Sequence, residues 1–267
     1  MADGRDPETL RDLAVAGARA GGAAALVHFR SPDLAVETKL DDSPVTRADR
    51  ESEAAVRAVI LGARPRDGWL GEETGSTEGQ SGLLWIVDPV DGTKNFVRGK
   101  TGWTTLVACE DQATGEVIAS AVFQPAVGRM AEAAKGSGAR LDGVRLRVSD
   151  RRQLAASRWV FYSDEWFHRH GLGALHAHLA AGKLLDTEGC DADGHVRIAE
   201  GLCDAVVEPR VAVWDVAATS LLIAEAGGRL TDMQGNATLR SGDAVITNGW
   251  VHDQVLELVA RLTAARA

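Results

Sequence analysis

The stretch Trp85-Ile86-Val87-Asp88-Pro89-Val90-Asp91-Gly92-Thr93-Lys94-Asn95-Phe96 reads as an apolar strand that runs into a turn carrying two aspartates. The β-type run starts at Leu83, and Pro89 and Gly92 punctuate its end. Further short β-type runs, Trp103 to Cys109, Val117 to Phe123 and Ala139 to Val148, follow between Gly, Asp and Asn residues. Two helices precede them. Pro7 to about Phe29 has Asp6 as a cap and Pro7 in its first turn, and about Ala48 to Gly62 carries Ala54, Ala55, Ala58 and Val59 on one face. The first half therefore predicts helices packed on an antiparallel sheet.

After Trp159 the pattern alternates. Strands are expected at Trp159 to Tyr162, around Leu184, at Asp204 to Glu208 and at Asp243 to Thr247. Helices are expected at Glu165 to Ala181, Ala192 to Glu200, Trp214 to Ala226 and Val251 to Ala265. This divides the chain into an α+β part, residues 1–150, and an α/β part, residues 151–267, which would complete a site begun in the first.

Composition narrows the partners. A formal charge of −9 with no Lys/Arg-rich run disfavours a nucleic-acid polymer or an anionic membrane surface. The best apolar stretch, Gly21 to Phe29, is far short of the ~20 residues that span a bilayer. The N-terminus carries no basic-then-apolar signal, and Cys109, Cys190 and Cys203 form no CxxC pair, so a cytoplasmic protein with small buried cysteines is expected.

Two more acids stand at the ends of elements: Glu72, in Gly71-Glu72-Glu73 after the apolar pair Trp69-Leu70, and Asp215, in Trp214-Asp215 at the head of an apolar helix. Singly, each reads as a cap or a solvated loop residue. Together with Asp88 and Asp91 they offer convergent carboxylates. Mg²⁺ takes oxygen ligands at about 2.1 Å, keeps several waters and needs only a few such groups.

The ordered set Gly-Glu-Glu, Asp-Pro-Val-Asp-Gly-Thr and Trp-Asp-Val-Ala-Ala…Glu-Ala-Gly-Gly, ending at Gly228, resembles the inositol monophosphatase superfamily over most of the chain. The resemblance implies a layered αβαβα sandwich of the sugar-phosphatase type and a phosphomonoesterase dependent on two or three Mg²⁺ ions. It also implies a homodimer. Glu72, Asp88, Asp91 and Asp215 would be side-chain ligands, with the Val90 carbonyl as another. Gly92 and Thr93 would contact phosphate. Thr93 and Glu72 would position the attacking water, and Asp49 would orient Thr93; Asp49 also reads as an N-cap of the second helix, and the two roles are compatible.

Within the superfamily, Asp88 to Gly99, Gly102 to Leu106, and Gly189-Cys190-Asp191…Ala199-Glu200-Gly201 look like the histidinol-phosphate phosphatases. Asp191 and Glu208 would then face the leaving group, where two carboxylates favour an amine or imidazolium over a neutral polyol. Asp191 reads equally as a helix N-cap. Arg210 opposes a cationic substrate and favours a nucleotide or sugar phosphate, so an inositol monophosphatase and a nucleotide or amino-nucleotide phosphatase stay open. A non-enzymatic binding relative is disfavoured because every ligand position carries an acid. The sequence does not place Trp103, Trp166, His168, His170 or His195.

Overall fold

The structure is a computed structural model that describes residues 4–32, 36–38, 44–161, 164–182, 184–186 and 191–264. Its helices, in chain order, are α1 Pro7–Leu26, α2 Arg47–Ala63, α3 Thr93–Val97, α4 Asp164–Arg169, α5 Gly173–Ala181, α6 Asp191–Ala199, α7 Val213–Ala226 and α8 His252–Ala264. Asp6 caps α1 by accepting from the Thr9 amide at 3.0 Å, with Pro7 at the helix start.

One sheet has eight strands in the order Val144–Arg145, Gly138–Leu141, Arg129–Ala134, Glu116–Gln124, Thr104–Asp111, Leu83–Asp91, Gly68–Gly71 and Gly75–Thr77. Every pair is antiparallel except Gly68–Gly71 beside Leu83–Asp91. A second sheet has five strands in the order Leu185–Asp186, Trp159–Val160, Ala205–Glu208, Ala244–Thr247 and Arg229–Thr231.

Alternation along the strands builds the layers. Trp85, Val87, Val107 and Cys109 pack against Leu10, Ala14 and Ala18 of α1 and Val56 and Ile60 of α2. Their neighbours Ile86, Leu106 and Ala108 face the other way, into a core shared with Val196 of α6, Leu222 of α7, and Val206 and Ile246 of the second sheet. Trp159, Val207 and Val245 on that sheet's far face cover Leu175 and Leu179 of α5 and Val255 and Leu258 of α8. The result is the expected αβαβα sandwich. Its central strands are buried on both faces, which is why they read as near-continuous apolar runs rather than alternating ones.

Several element expectations need correction. Ala139 to Val148 is a hairpin rather than one strand: Asp142 and Gly143 take φ of 50° and 81°, the left-handed pair of a tight hairpin turn. Gly171, at φ 81°, divides the expected helix Glu165 to Ala181 into α4 and α5. The strands Val36–Thr38, Pro44–Thr46, Gly68–Gly71, Gly75–Thr77, Arg129–Ala134 and Arg229–Thr231 are additional. α2 also turns a different face inward: Ala48, Asp49, Ser52, Glu53, Val56 and Ile60 are buried, whereas Ala54 and Ala58 are exposed.

Cys109 and Cys203 are buried; Cys190, Gly189, Tyr162 and Ala265 lie outside the described residues. Among the described residues no helix is long and apolar enough to cross a membrane.

Candidate active site

The two aspartates of the opening motif converge because of an inserted residue. Asp88 pairs with Leu106 and Asp91 with Thr104, so three steps on one strand match two on the other. Residues three apart on a regular strand point to opposite faces; the bulge restores Asp88 and Asp91 to the same face. Pro89 suits this place because it has no amide to offer a ladder. Its carbonyl accepts from the hydroxyls of Ser52 at 3.1 Å and Thr105 at 2.9 Å, and the Val90 amide donates to Asp88 Oδ1 at 3.0 Å.

Parallel pairing supplies Glu72. Gly71 stands opposite Val87, and the Glu72 amide donates to the Val87 carbonyl at 3.1 Å, which brings Glu72 level with Asp88. Asp215 comes from the middle layer, in the first turn of α7, where its Oδ2 accepts from the Ala212 amide at 2.7 Å.

Oxygens of Asp88, Asp91 and Asp215 lie within 4.8 Å of one another, a donor set suited to a hard divalent cation. Crowding and burial show in their acidities. Burial, then Glu72, Asp91 and Asp215, push the Asp88 carboxyl well above the usual range. Asp91 is raised likewise, by burial and then by Asp191 and Asp215, against a lowering hydrogen bond from the Ala192 amide. Asp215 is pushed up to about 7, mainly by burial. A cation would relieve this repulsion.

Gly92, at φ 80°, turns the chain from the bulge into α3. A side chain there would be strained and would meet the Gly102 carbonyl at 3.0 Å and Asp191 Oδ2 at 3.2 Å. Thr93 follows. Its Oγ1 is 2.9 Å from the Val90 carbonyl and 3.4 Å from Asp49 Oδ1. Asp49 also fills the capping position, but as the third residue of α2: Thr46 is the cap, and Asp49 Oδ2 accepts from its amide at 2.8 Å and its hydroxyl at 2.7 Å. The capping and Thr93 contacts coexist on different oxygens.

A cavity of about 570 Å³ opens over these groups. Glu72, Asp88, Val90, Asp91, Gly92, Thr93 and Asp215 line it, and so do Asp191, Glu208 and Arg210. Asp49 stands behind Thr93 rather than on the wall. Asp191 begins α6 at φ 52°, and the Ala192 amide beside it donates to Asp91 Oδ2 at 2.8 Å.

Glu208 is not alone at the wall. His195 Nε2 lies 2.6 Å from its Oε1, and His195 Nδ1 lies 3.0 Å from Thr219 Oγ1. His195, a pocket candidate that the sequence left unplaced, lines the cavity. The available signal was its spacing, four residues after Asp191 on one helix face. Trp166 and Lys94 are also on the wall, with Lys94 Nζ 5.5 Å from the indole centre.

The sequence pattern of the inositol monophosphatase family matches residues 6–264. The chain belongs to that family. As a member it is a phosphoric monoester hydrolase. It is 42% identical to a histidinol-phosphatase of Mycobacterium tuberculosis over 86% of this chain and 90% of that one. It is 34% identical to an inositol-1-monophosphatase of Rhizobium meliloti over 86% and 87%. Among solved structures, the suhB protein of Bartonella henselae superposes with a TM-score of 0.86 at 28% identity, covering 94% of this chain and 98% of that one. The Thermotoga maritima IMPase TM1415 gives 0.84 at 28% identity, covering 97% and 100%. These inositol monophosphatase folds match the five-layer sandwich derived above.

Proposed function

We propose that the chain is a Mg²⁺-dependent phosphatase that hydrolyses histidinol phosphate to histidinol and phosphate, with two or three ions held by Glu72, Asp88, Asp91, Asp215 and the Val90 carbonyl. The hard oxygen donors of Asp88, Asp91 and Asp215, within 4.8 Å of one another, suit Mg²⁺. Bound there, the ions would neutralise phosphate charge and lower the pKa of a bound water.

The chain's own groups would do the rest. Thr93 has one hydroxyl hydrogen; donating it to the Val90 carbonyl or to Asp49 Oδ1 leaves the Oγ1 lone pairs to accept a hydrogen from the attacking water. Glu72, across the cavity wall, would accept the other. The backbone of Gly92 and Thr93 would hold phosphate oxygens at the head of α3. The P–O bond to the alcohol breaks as the water oxygen bonds to phosphorus; of the water's two protons, one passes to the departing alcohol oxygen and the other stays with the phosphate.

The observation that carries the substrate reading is that Asp191 and Glu208 line the same cavity as the acidic triad without belonging to it. A charge-assisted hydrogen bond to an amine or imidazolium contributes roughly 1.5–3 kcal/mol, which a neutral polyol would not gain. The relative named histidinol-phosphatase, at 42% identity, supports the same choice. Arg210 on that wall favours a second reading, a sugar or nucleotide phosphate, and the 34%-identical inositol-1-monophosphatase supports it. In the preferred reading the enzyme is a cytoplasmic homodimer, which sedimentation would test at the level of the oligomer.

The test is phosphate release from histidinol phosphate, inositol 1-phosphate, nucleoside monophosphates and a nucleoside 3′,5′-bisphosphate, with Mg²⁺ and with EDTA. Release only with Mg²⁺, and highest kcat/KM on histidinol phosphate, supports the proposal. Turnover in EDTA sinks the metal role, and preference for another ester sinks the substrate.

A further inference from the structure

Glu53, in the second turn of α2, is fully buried, and its carboxylate is engaged by the turn after Glu72. Oε2 accepts from the Glu73 amide at 2.7 Å, and Oε1 accepts from the Thr74 amide at 3.0 Å and from the Thr74 hydroxyl. These donors sit on the two residues that directly follow Glu72. On its other side Glu72 is fixed by its own amide to Val87. Glu72 is therefore held between a strand bond and a buried anchor.

The surroundings are shaped to this contact. A Cβ on Gly71 would overlap the Glu53 carboxylate, so the close approach requires glycine there. Trp69 Nε1 lies 3.2 Å from Thr74 Oγ1, and the Arg57 guanidinium sits 5.5 Å from the Trp69 ring centre. A carboxylate taken out of water is costly unless its oxygens are satisfied, and here the turn satisfies them. Asp49 and Glu53 are four apart on one face of α2: Asp49 reaches Thr93, and Glu53 reaches the Glu72 turn. One helix thus braces both groups proposed to orient water. This explains why α2 buries a polar face and leaves Ala54 and Ala58 outside.

We infer that Glu53 is a positioning residue for Glu72, setting the affinity of the site for Mg²⁺ rather than touching ion or substrate. The inference rests on the proposed role of Glu72 as a ligand. Glu53→Gln keeps the shape but replaces one acceptor by a donor facing a backbone amide, so the turn shifts and Glu72 with it.

The experiment measures Mg²⁺ affinity by calorimetry without substrate, and Mg²⁺ activation of phosphate release, for wild type, Glu53→Gln, Thr74→Val, Thr74→Ser and Glu72→Gln. Glu53→Gln should weaken Mg²⁺ binding and raise the activation constant together, roughly 10-fold to 100-fold, as loss of a ligand-orienting partner does. Saturating Mg²⁺ should recover most of its kcat, and KM for the ester should change little. Thr74→Val should weaken Mg²⁺ binding about 5-fold, and Thr74→Ser should restore it. Unchanged affinity in a folded Glu53→Gln, or a kcat loss that Mg²⁺ does not recover, overturns the inference. Should Glu53→Gln not fold, unchanged affinity in Thr74→Val overturns it. If Glu72→Gln weakens binding and Glu53→Gln does not, this inference alone fails; if Glu72→Gln leaves Mg²⁺ affinity unchanged, the ligand role of Glu72 fails first.

Discussion

The Asp91 carboxylate accepts from the Ala192 amide at 2.8 Å, so an acid of the large sheet holds the start of α6 in the next layer. The same carboxylate takes the Thr104 hydroxyl at 3.2 Å and stands in the triad with Asp88 and Asp215. Asp91 therefore joins two layers as well as facing the cavity, whereas Asp88 accepts from the Val90 amide of its own turn.

That difference separates two variants. Asp91→Ala relieves the same crowding but leaves the Ala192 amide without its acceptor, so in urea unfolding of the metal-free protein it should be about 1–3 kcal/mol less stable than Asp88→Asn. Asp88→Asn removes a carboxyl whose ionisation is opposed by burial and by Glu72, Asp91 and Asp215, and should raise the metal-free melting temperature at pH 7. A lower melting temperature for Asp88→Asn would contradict the crowding described here.

Both Asp88→Asn and Asp215→Asn should lose at least about 100-fold in phosphatase activity and lose the stabilisation that Mg²⁺ gives the wild type. Ca²⁺, whose coordination is longer and looser, should support turnover poorly. Near-wild-type kcat at saturating Mg²⁺ in either variant would remove the metal assignment.

Asp215 links metal binding to pH. Its folded carboxyl, raised to about 7, binds a proton that the unfolded chain has released above about 4. The metal-free fold is therefore destabilised as pH rises from about 4 through 7. A cation needs the ionised form, so the Mg²⁺-induced rise in melting temperature should grow from pH 6 to pH 8. A shift of constant size over that range would count against it.

His252 works in the opposite direction. It is buried between the hydroxyls of Thr231 and Thr247, each at 2.9 Å, and burial, with Arg229 adding, lowers it to about 4. Between pH 4 and 6.5 the unfolded chain binds more protons, so stability falls as pH falls through that window. His252→Gln should flatten this slope in acid titrations followed by circular dichroism; an unchanged slope would show that His252 does not titrate with unfolding.

Much of this arrangement was legible beforehand. The apolar runs located the core strands, and the acidic motifs named the residues that meet at the cavity. The bulge was not legible, because a spacing of three does not say whether Asp88 and Asp91 share a face until the partner register is known. The hydrophobic stripe on α2 misled for a physical reason: Asp49, Ser52 and Glu53 are buried to hold Thr93, Pro89 and the Glu72 turn, so the site overrides the pattern. The His195–Glu208 contact needed the packing of α6 against the second sheet, which no local motif encodes.

The choice of leaving group turns on charge at Asp191. The most direct measurement is the ratio of kcat/KM for histidinol phosphate over inositol 1-phosphate, with Mg²⁺, in wild type and Asp191→Ala. The expected ratio is well above one in wild type and falls roughly 10-fold to 100-fold in the variant through loss on histidinol phosphate alone. A wild-type ratio at or below one, or an equal loss on both esters, would contradict it.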